Sequence, residues 1–89
     1  MAERRVTVAS VVGLHARPAA QLAKAAAAQP VAVSIRKGEG TPVAAASVLG
    51  LMTLGAMHGD EVVLSADGEG AEAVLEELAA LVAADSGHE

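Results

Sequence analysis

The chain has 89 residues, 53% of them hydrophobic, with no aromatic residue and no cysteine, and a formal net charge of −5 from six Lys and Arg against eleven Asp and Glu. A chain of this size makes one small domain, residues 1–89, which without cysteine stands on packing alone and has neither disulfides nor thiolate metal ligands to support it. The acidic balance and the missing aromatics speak against a nucleic-acid binder that neutralises phosphates or stacks on bases, and no apolar run reaches the ~20 residues of a membrane-spanning helix.

The opening MAERRVTV lacks the apolar core of a signal peptide, so a cytoplasmic protein is expected. From Arg4 to Ala9, Val6 and Val8 alternate with Arg5 and Thr7, the two-residue period of a half-buried strand. Next comes GLHARPA, residues 13 to 19. Gly13 permits an unusual backbone angle, and Pro18 is tolerated in a helix only within the first turn, so a helix is expected to begin near His15 or Ala16. It runs through strong helix formers to about Ala28 and stops at Gln29-Pro30, because the residue before a proline avoids helical angles. Val31, Val33 and Ile35 then alternate with Ala32, Ser34 and Arg36, and the Lys37-Gly38-Glu39-Gly40 turn leads into Thr41-Pro42-Val43. This is a hairpin whose second strand carries a proline and therefore belongs at a sheet edge.

A short helix follows from Ser47 to about Thr53, with Ser47 as N-cap and Gly55 ending it. Asp60 to Ala66 returns to strand, with Val62 and Leu64 on one face. Gly68-Glu69-Gly70 opens the last helix, in which Val74, Leu75, Leu78, Leu81 and Val82 form an apolar stripe and Glu72, Glu76 and Glu77 turn away. The order strand, helix, strand, strand, helix, strand, helix suits an antiparallel sheet with its apolar face covered by helices.

The chemistry concentrates in residues 13 to 19. A helix start there sets the imidazole of His15 beside the free amides of the first turn, including those of Ala16 and Arg17, a ready anion site. A neutral imidazole nitrogen is a good nucleophile near neutral pH, and the positive helix end disfavours its protonated form. If the group attacked is phosphoryl, the added negative charge falls where the amides receive it, and Arg17 offers a planar fork of donors to the same oxygens. The residues alone equally fit His15 as a plain exposed cap and Arg17 as a solubilising cation.

GLHARPA closely resembles the active-site stretch of the HPr family, the histidine-containing phosphocarriers of the bacterial phosphoenolpyruvate-dependent sugar phosphotransferase system. The similarity extends to SVLGLMTLGAMHGDEV, residues 47 to 62, which matches the second signature of that family at its usual spacing. The resemblance implies an α/β (α+β) open-faced β-sandwich, a four-stranded antiparallel sheet covered on one face by three helices in the order βαββαβα. It implies that His15 accepts phosphate on Nδ1 from phospho-Enzyme I, that Arg17 steadies it, and that it passes to a histidine of a sugar-specific Enzyme IIA. The protein would then be a carrier and not an enzyme, a monomer with no cofactor and no metal. Val48, Leu49 and Met52 would form the partner-docking face, with Leu51 and Leu54 in the core. Methionine suits a surface that meets different partners. Ser47 matches a serine phosphorylated for regulation in some relatives, although Ala46 stands where a lysine often precedes it; the N-cap alone accounts for its presence.

His58, in the Met57-His58-Gly59-Asp60 turn, is expected to be a solvated loop residue and His88 to lie in a tail from Ser86 to Glu89. Neither forms a metal-ligand spacing with another histidine, and no phosphate-binding G-x-x-x-x-G-K-[ST] loop supports direct use of ATP. Two other readings compete with a carrier for sugar uptake. One is a carrier of a regulatory, nitrogen-type branch of the same system; the other is an HPr-like interaction protein that binds regulatory proteins without carrying phosphate. A hydrolase with His15 as general base lacks a nucleophile or second acid nearby.

Overall fold

A computed structural model of the chain describes residues 2–9 and 16–83, and for residues 16–18 the backbone alone. Its elements are β1 (Ala2–Thr7), α1 (Ala16–Ala27), β2 (Val33–Lys37), β3 (Val43–Ala44), α2 (Val48–Leu54), β4 (Glu61–Ala66) and α3 (Ala71–Ala83). Among the described residues this is the expected βαββαβα order, with three helices and one four-stranded antiparallel sheet in the order β1-β4-β2-β3. Pro42 just precedes β3, an edge strand of two residues, where a missing ladder donor is harmless.

β4 is central, pairing with β1 from Ala2↔Ala66 to Thr7↔Glu61 and with β2 from Val33↔Ala66 to Lys37↔Val62. Val62 and Leu64 face the helices with Val33, Ile35 and the buried stripes of α1 and α3. Ala19, Leu22, Ala23 and Ala26 form the buried side of α1 at three- and four-residue intervals. Small alanines there let α1 lie close to its neighbours. Each fully buried leucine, such as Leu22, Leu51, Leu64, Leu75 and Leu78, contributes about 1.5–3 kcal/mol from burial.

Two expectations need correction. The first strand is Ala2–Thr7, not Arg4–Ala9, because the pairing with β4 begins at Ala2; Val8 and Ala9 turn their backbone bonds to a loop and to α3. Leu81 is 38% exposed, since the buried side of α3 is centred on Ala71, Leu75, Leu78 and Val82 and takes in Ala79, which leaves Leu81 on the flank. Val63 points to the open face of the sheet yet is fully buried. Its cross-strand neighbours are Arg5 and Arg36, whose stems shield it while their heads reach Glu61 at 3.1 Å and Glu3 at 3.2 Å. His88 and the tail from Ser86 lie outside the described residues.

Candidate functional site

His15 and Gly13 lie outside the described residues, as does the side chain of Arg17; the backbone on either side is described. Downstream, α1 begins at Ala16, so Pro18 is its third residue, where a backbone N–H would have no intrahelical acceptor. The amides of Ala16 and Arg17 belong to that same first turn. Upstream, the Val8 N–H donates to the Asp60 carbonyl and the Val8 carbonyl accepts from the Gly59 N–H, both at 2.9 Å. The Ala9 N–H then donates to the Val82 carbonyl in the last turn of α3, at 3.2 Å. The stretch containing His15 thus runs between two anchored points, Ala9 and Ala16.

α2 is short, and its ends explain its existence. Ser47 takes an extended backbone and its Oγ accepts the Gly50 N–H at 3.0 Å; Gly55 closes the helix in the left-handed conformation, φ 74°, which a side chain would oppose. Leu51 is completely buried and Leu54 partly so. Val48 is 41%, Leu49 74% and Met52 41% exposed, spaced by one, three and four residues along a single outer face. α1 packs against α2, and the exposed residues of α1 include Gln21 and Lys24.

Charge is unevenly distributed around this face. Neither α1 nor α2 contains an Asp or Glu, whereas Glu72, Glu76 and Glu77 are exposed on α3. Among cations with described side chains, Arg4, Arg5, Arg36 and Lys37 pair with Glu76, Glu61, Glu3 and Asp60, while Lys24 has no ion pair with another described residue. The outer face of α2 is thereby apolar, and neither α2 nor the neighbouring α1 carries a carboxylate.

The loop from α2 to β4 is tied down by a device that sequence reading missed. The Lys37 Nζ donates to the Gly55 carbonyl at 3.2 Å and lies 3.3 Å from Asp60 Oδ2. The same Oδ2 accepts the Met57 N–H at 2.9 Å, while the Asp60 N–H donates to the Met57 carbonyl at 3.0 Å. The hydrogen bond from the Met57 amide, and after it that from Lys37, holds the Asp60 carboxyl below its ordinary value. His58 is exposed in this loop. Gln29, at the end of α1, similarly donates to Glu77 Oε2 on α3 at 2.9 Å. The Lys37–Asp60 and Gln29–Glu77 links join residues more than 20 positions apart, with no local periodicity that would announce them.

Strand order, layering and the outward apolar face of α2 define the class, an open-faced α+β sandwich with its helices on one side of the sheet. A family model described as the PTS HPr component phosphorylation site matches residues 2–84. The chain is 58% identical over 83 residues to phosphocarrier protein HPr of Streptomyces coelicolor, covering 93% of this chain and 89% of that one. It is 42% identical over 82 residues to the HPr-like protein Crh of Bacillus subtilis, covering 92% and 95%. The crystal structure of HPr from Bacillus anthracis matches with a TM-score of 0.85 at 37% identity, covering 91% of this chain and 95% of that one. The chain belongs to the HPr family: it is a phosphocarrier of the phosphotransferase system, a phosphoryl relay protein and not an enzyme. Membership implies partners within that system, Enzyme I and Enzyme IIA proteins. Among the described residues no helix is long and apolar enough to cross a membrane.

Proposed function

We propose that His15 is the phosphoryl acceptor, that it receives phosphate from phospho-Enzyme I in the cytoplasm, and that it passes it to a histidine of a sugar-specific Enzyme IIA. The observation that supports this most is the junction of sequence and fold: GLHARPA falls where α1 begins, with Pro18 inside its first turn. In the transfer, Nδ1 of neutral His15 attacks phosphorus as the bond from phosphorus to the Enzyme I histidine breaks, so one P–N bond replaces another. The first-turn amides of α1 and the Arg17 guanidinium receive the charge of the phosphoryl oxygens. The second transfer repeats the exchange in the opposite sense.

Docking is assigned to Val48, Leu49 and Met52, whose exposure on the outer side of α2 suits a surface buried in turn against two partners. Ser47 begins that helix, so a phosphate on its hydroxyl would set negative charge beside the docking residues and repel an acidic partner. The test is intact mass after incubation with phosphoenolpyruvate and an active Enzyme I. One acid-labile phosphate on the wild-type chain and none on His15→Ala is the expected result, while phosphate retained by His15→Ala would overturn the assignment. Arg17→Glu is expected to keep the acceptor but to slow transfer strongly, because it puts repulsion where the phosphoryl charge must sit; an unchanged rate would remove Arg17 from the mechanism.

A further inference from the structure

The helix that carries Val48, Leu49 and Met52 is lightly seated. Of the residues of α2 only Leu51 is fully buried, and Leu54 is partly so. Its N-terminal end is closed by Ser47, whose Oγ accepts the Gly50 N–H. Its C-terminal end instead borders a cleft of about 310 Å³, with Thr53 and Leu54 on one side and Lys37, Gly40, Thr41 and Val43 on the other, so close packing does not fix that end. Lys37 reaches across to it and donates to the Gly55 carbonyl at 3.2 Å. The lysine has a firm mount: it ends β2, its backbone is paired in the sheet opposite Val62, and its Nζ is braced by Asp60 Oδ2 at 3.3 Å.

We infer that Lys37 is a positioning residue for the docking face: by tying the C-terminal end of α2 to the sheet it fixes how Met52 is presented to a partner. The inference rests on the reading of Val48, Leu49 and Met52 as the surface that meets Enzyme I. So short a helix does not hold in isolation, and an end with neither packing nor a tie frays. Ordering a frayed end on binding subtracts from affinity. A cation that donates to the last carbonyls of a helix opposes that fraying. Val48 and Leu49 sit in the first turn, next to the Ser47 cap, whereas Met52 lies in the half that Lys37 ties down. The effect of Lys37 on docking therefore passes through Met52.

The experiment measures the affinity of the full chain for Enzyme I by calorimetry, with amide hydrogen exchange read residue by residue in the free protein. Lys37→Met keeps an apolar stem and removes the donor. Exchange at Met52, Thr53 and Leu54 is expected to quicken while that of Leu64, in the central strand, does not. Affinity is expected to fall about fivefold, and Lys37→Arg, which keeps a charged donor of similar reach, to recover it to within about twofold. A double-mutant cycle separates position from charge. In a Met52→Ala background Lys37→Met is expected to cost less than about twofold, whereas in a Val48→Ala background the full loss persists. An equal loss in both backgrounds would mean a charge effect that bypasses Met52 and would overturn the inference. So would unchanged exchange in α2, wild-type affinity despite faster exchange there, faster exchange at Leu64 as well, or an arginine variant as weak as the methionine one. Leu49→Asp and Met52→Ala, in which Lys37 is native, are run alongside. Wild-type affinity in both would overturn the docking reading itself, and the inference with it.

Discussion

Replacing Ser47 separates stability from docking, because one atom serves the first and its neighbours are proposed to serve the second. A helix of seven residues does not hold in isolation. α2 depends on the burial of Leu51 and on its caps, and Ser47→Ala removes the acceptor 3.0 Å from the Gly50 N–H. Gly50 is only partly buried, so water replaces some of the lost bond, and the cost is expected near the middle of the usual capping range, about 1 kcal/mol. For a domain of this size that lowers the melting temperature by roughly 4–8 °C. Ser47→Asp keeps an oxygen for the same N–H and adds a charge that the helix N-terminus favours, so its stability is expected within about 0.5 kcal/mol of wild type. Urea denaturation followed by circular dichroism measures both variants. The same Ser47→Asp change, seated beside Val48 and Leu49, is expected to raise the Enzyme I concentration needed for half-maximal phosphorylation of His15. An aspartate variant as unstable as the alanine one, or an alanine variant as stable as wild type, would refute the cap. Unchanged phosphorylation kinetics in a stable Ser47→Asp protein would refute the proximity of this position to the docking surface.

Leu49→Asp should leave the fold intact, since the side chain is 74% exposed, yet weaken association with Enzyme I and Enzyme IIA; calorimetric affinities equal to wild type would remove Leu49 from the interface. Leu64→Ala, by contrast, empties a completely buried site in the central strand and is expected to cost about 2–5 kcal/mol in urea unfolding, a loss below 1 kcal/mol counting against a close-packed site there. For Asp60 the sign of the pH effect follows from its carboxyl lying below the ordinary value of 3.8 when folded. The stability it lends is fully present above that ordinary value and is lost as pH falls through the lower folded value. The stability gap between wild type and Asp60→Asn should therefore be flat at neutral pH and narrow in acid. A gap that stays constant down to about pH 2 would show that the carboxylate is not favoured by folding.

Much of the architecture was legible because its signals are local. Pro18 marks the first turn of α1, Gln29-Pro30 its end, Ser47 and Gly55 the two ends of α2, and each acts through backbone sterics or a hydrogen bond within a few residues. In the GLHARPA stretch what was legible is the helix start, with Pro18 in the first turn of α1; His15 itself lies outside the described residues. The exposure of Leu49 could be anticipated only with the help of the family resemblance; the pattern of α2 alone surrounds the axis with apolar residues.

What the tertiary structure decided depends on pairings between distant parts of the chain. Val63 would pass for a solvent-facing residue between Val62 and Leu64; it is buried because β1 and β2 flank β4 and bring Arg5 and Arg36 over it. Leu81 belongs to an apolar stripe by spacing, but the line along which α3 meets the sheet leaves it on the flank. The Lys37–Asp60 pair and the grip of the 57–60 turn on Val8 join segments that no local periodicity connects. Capping, turn chemistry and hydrophobic period are properties of neighbouring residues and can be read in order along the chain. Strand order, the facing of each helix and the anchoring of the loop are properties of which distant surfaces meet, and only the assembled sheet and its helices determine them.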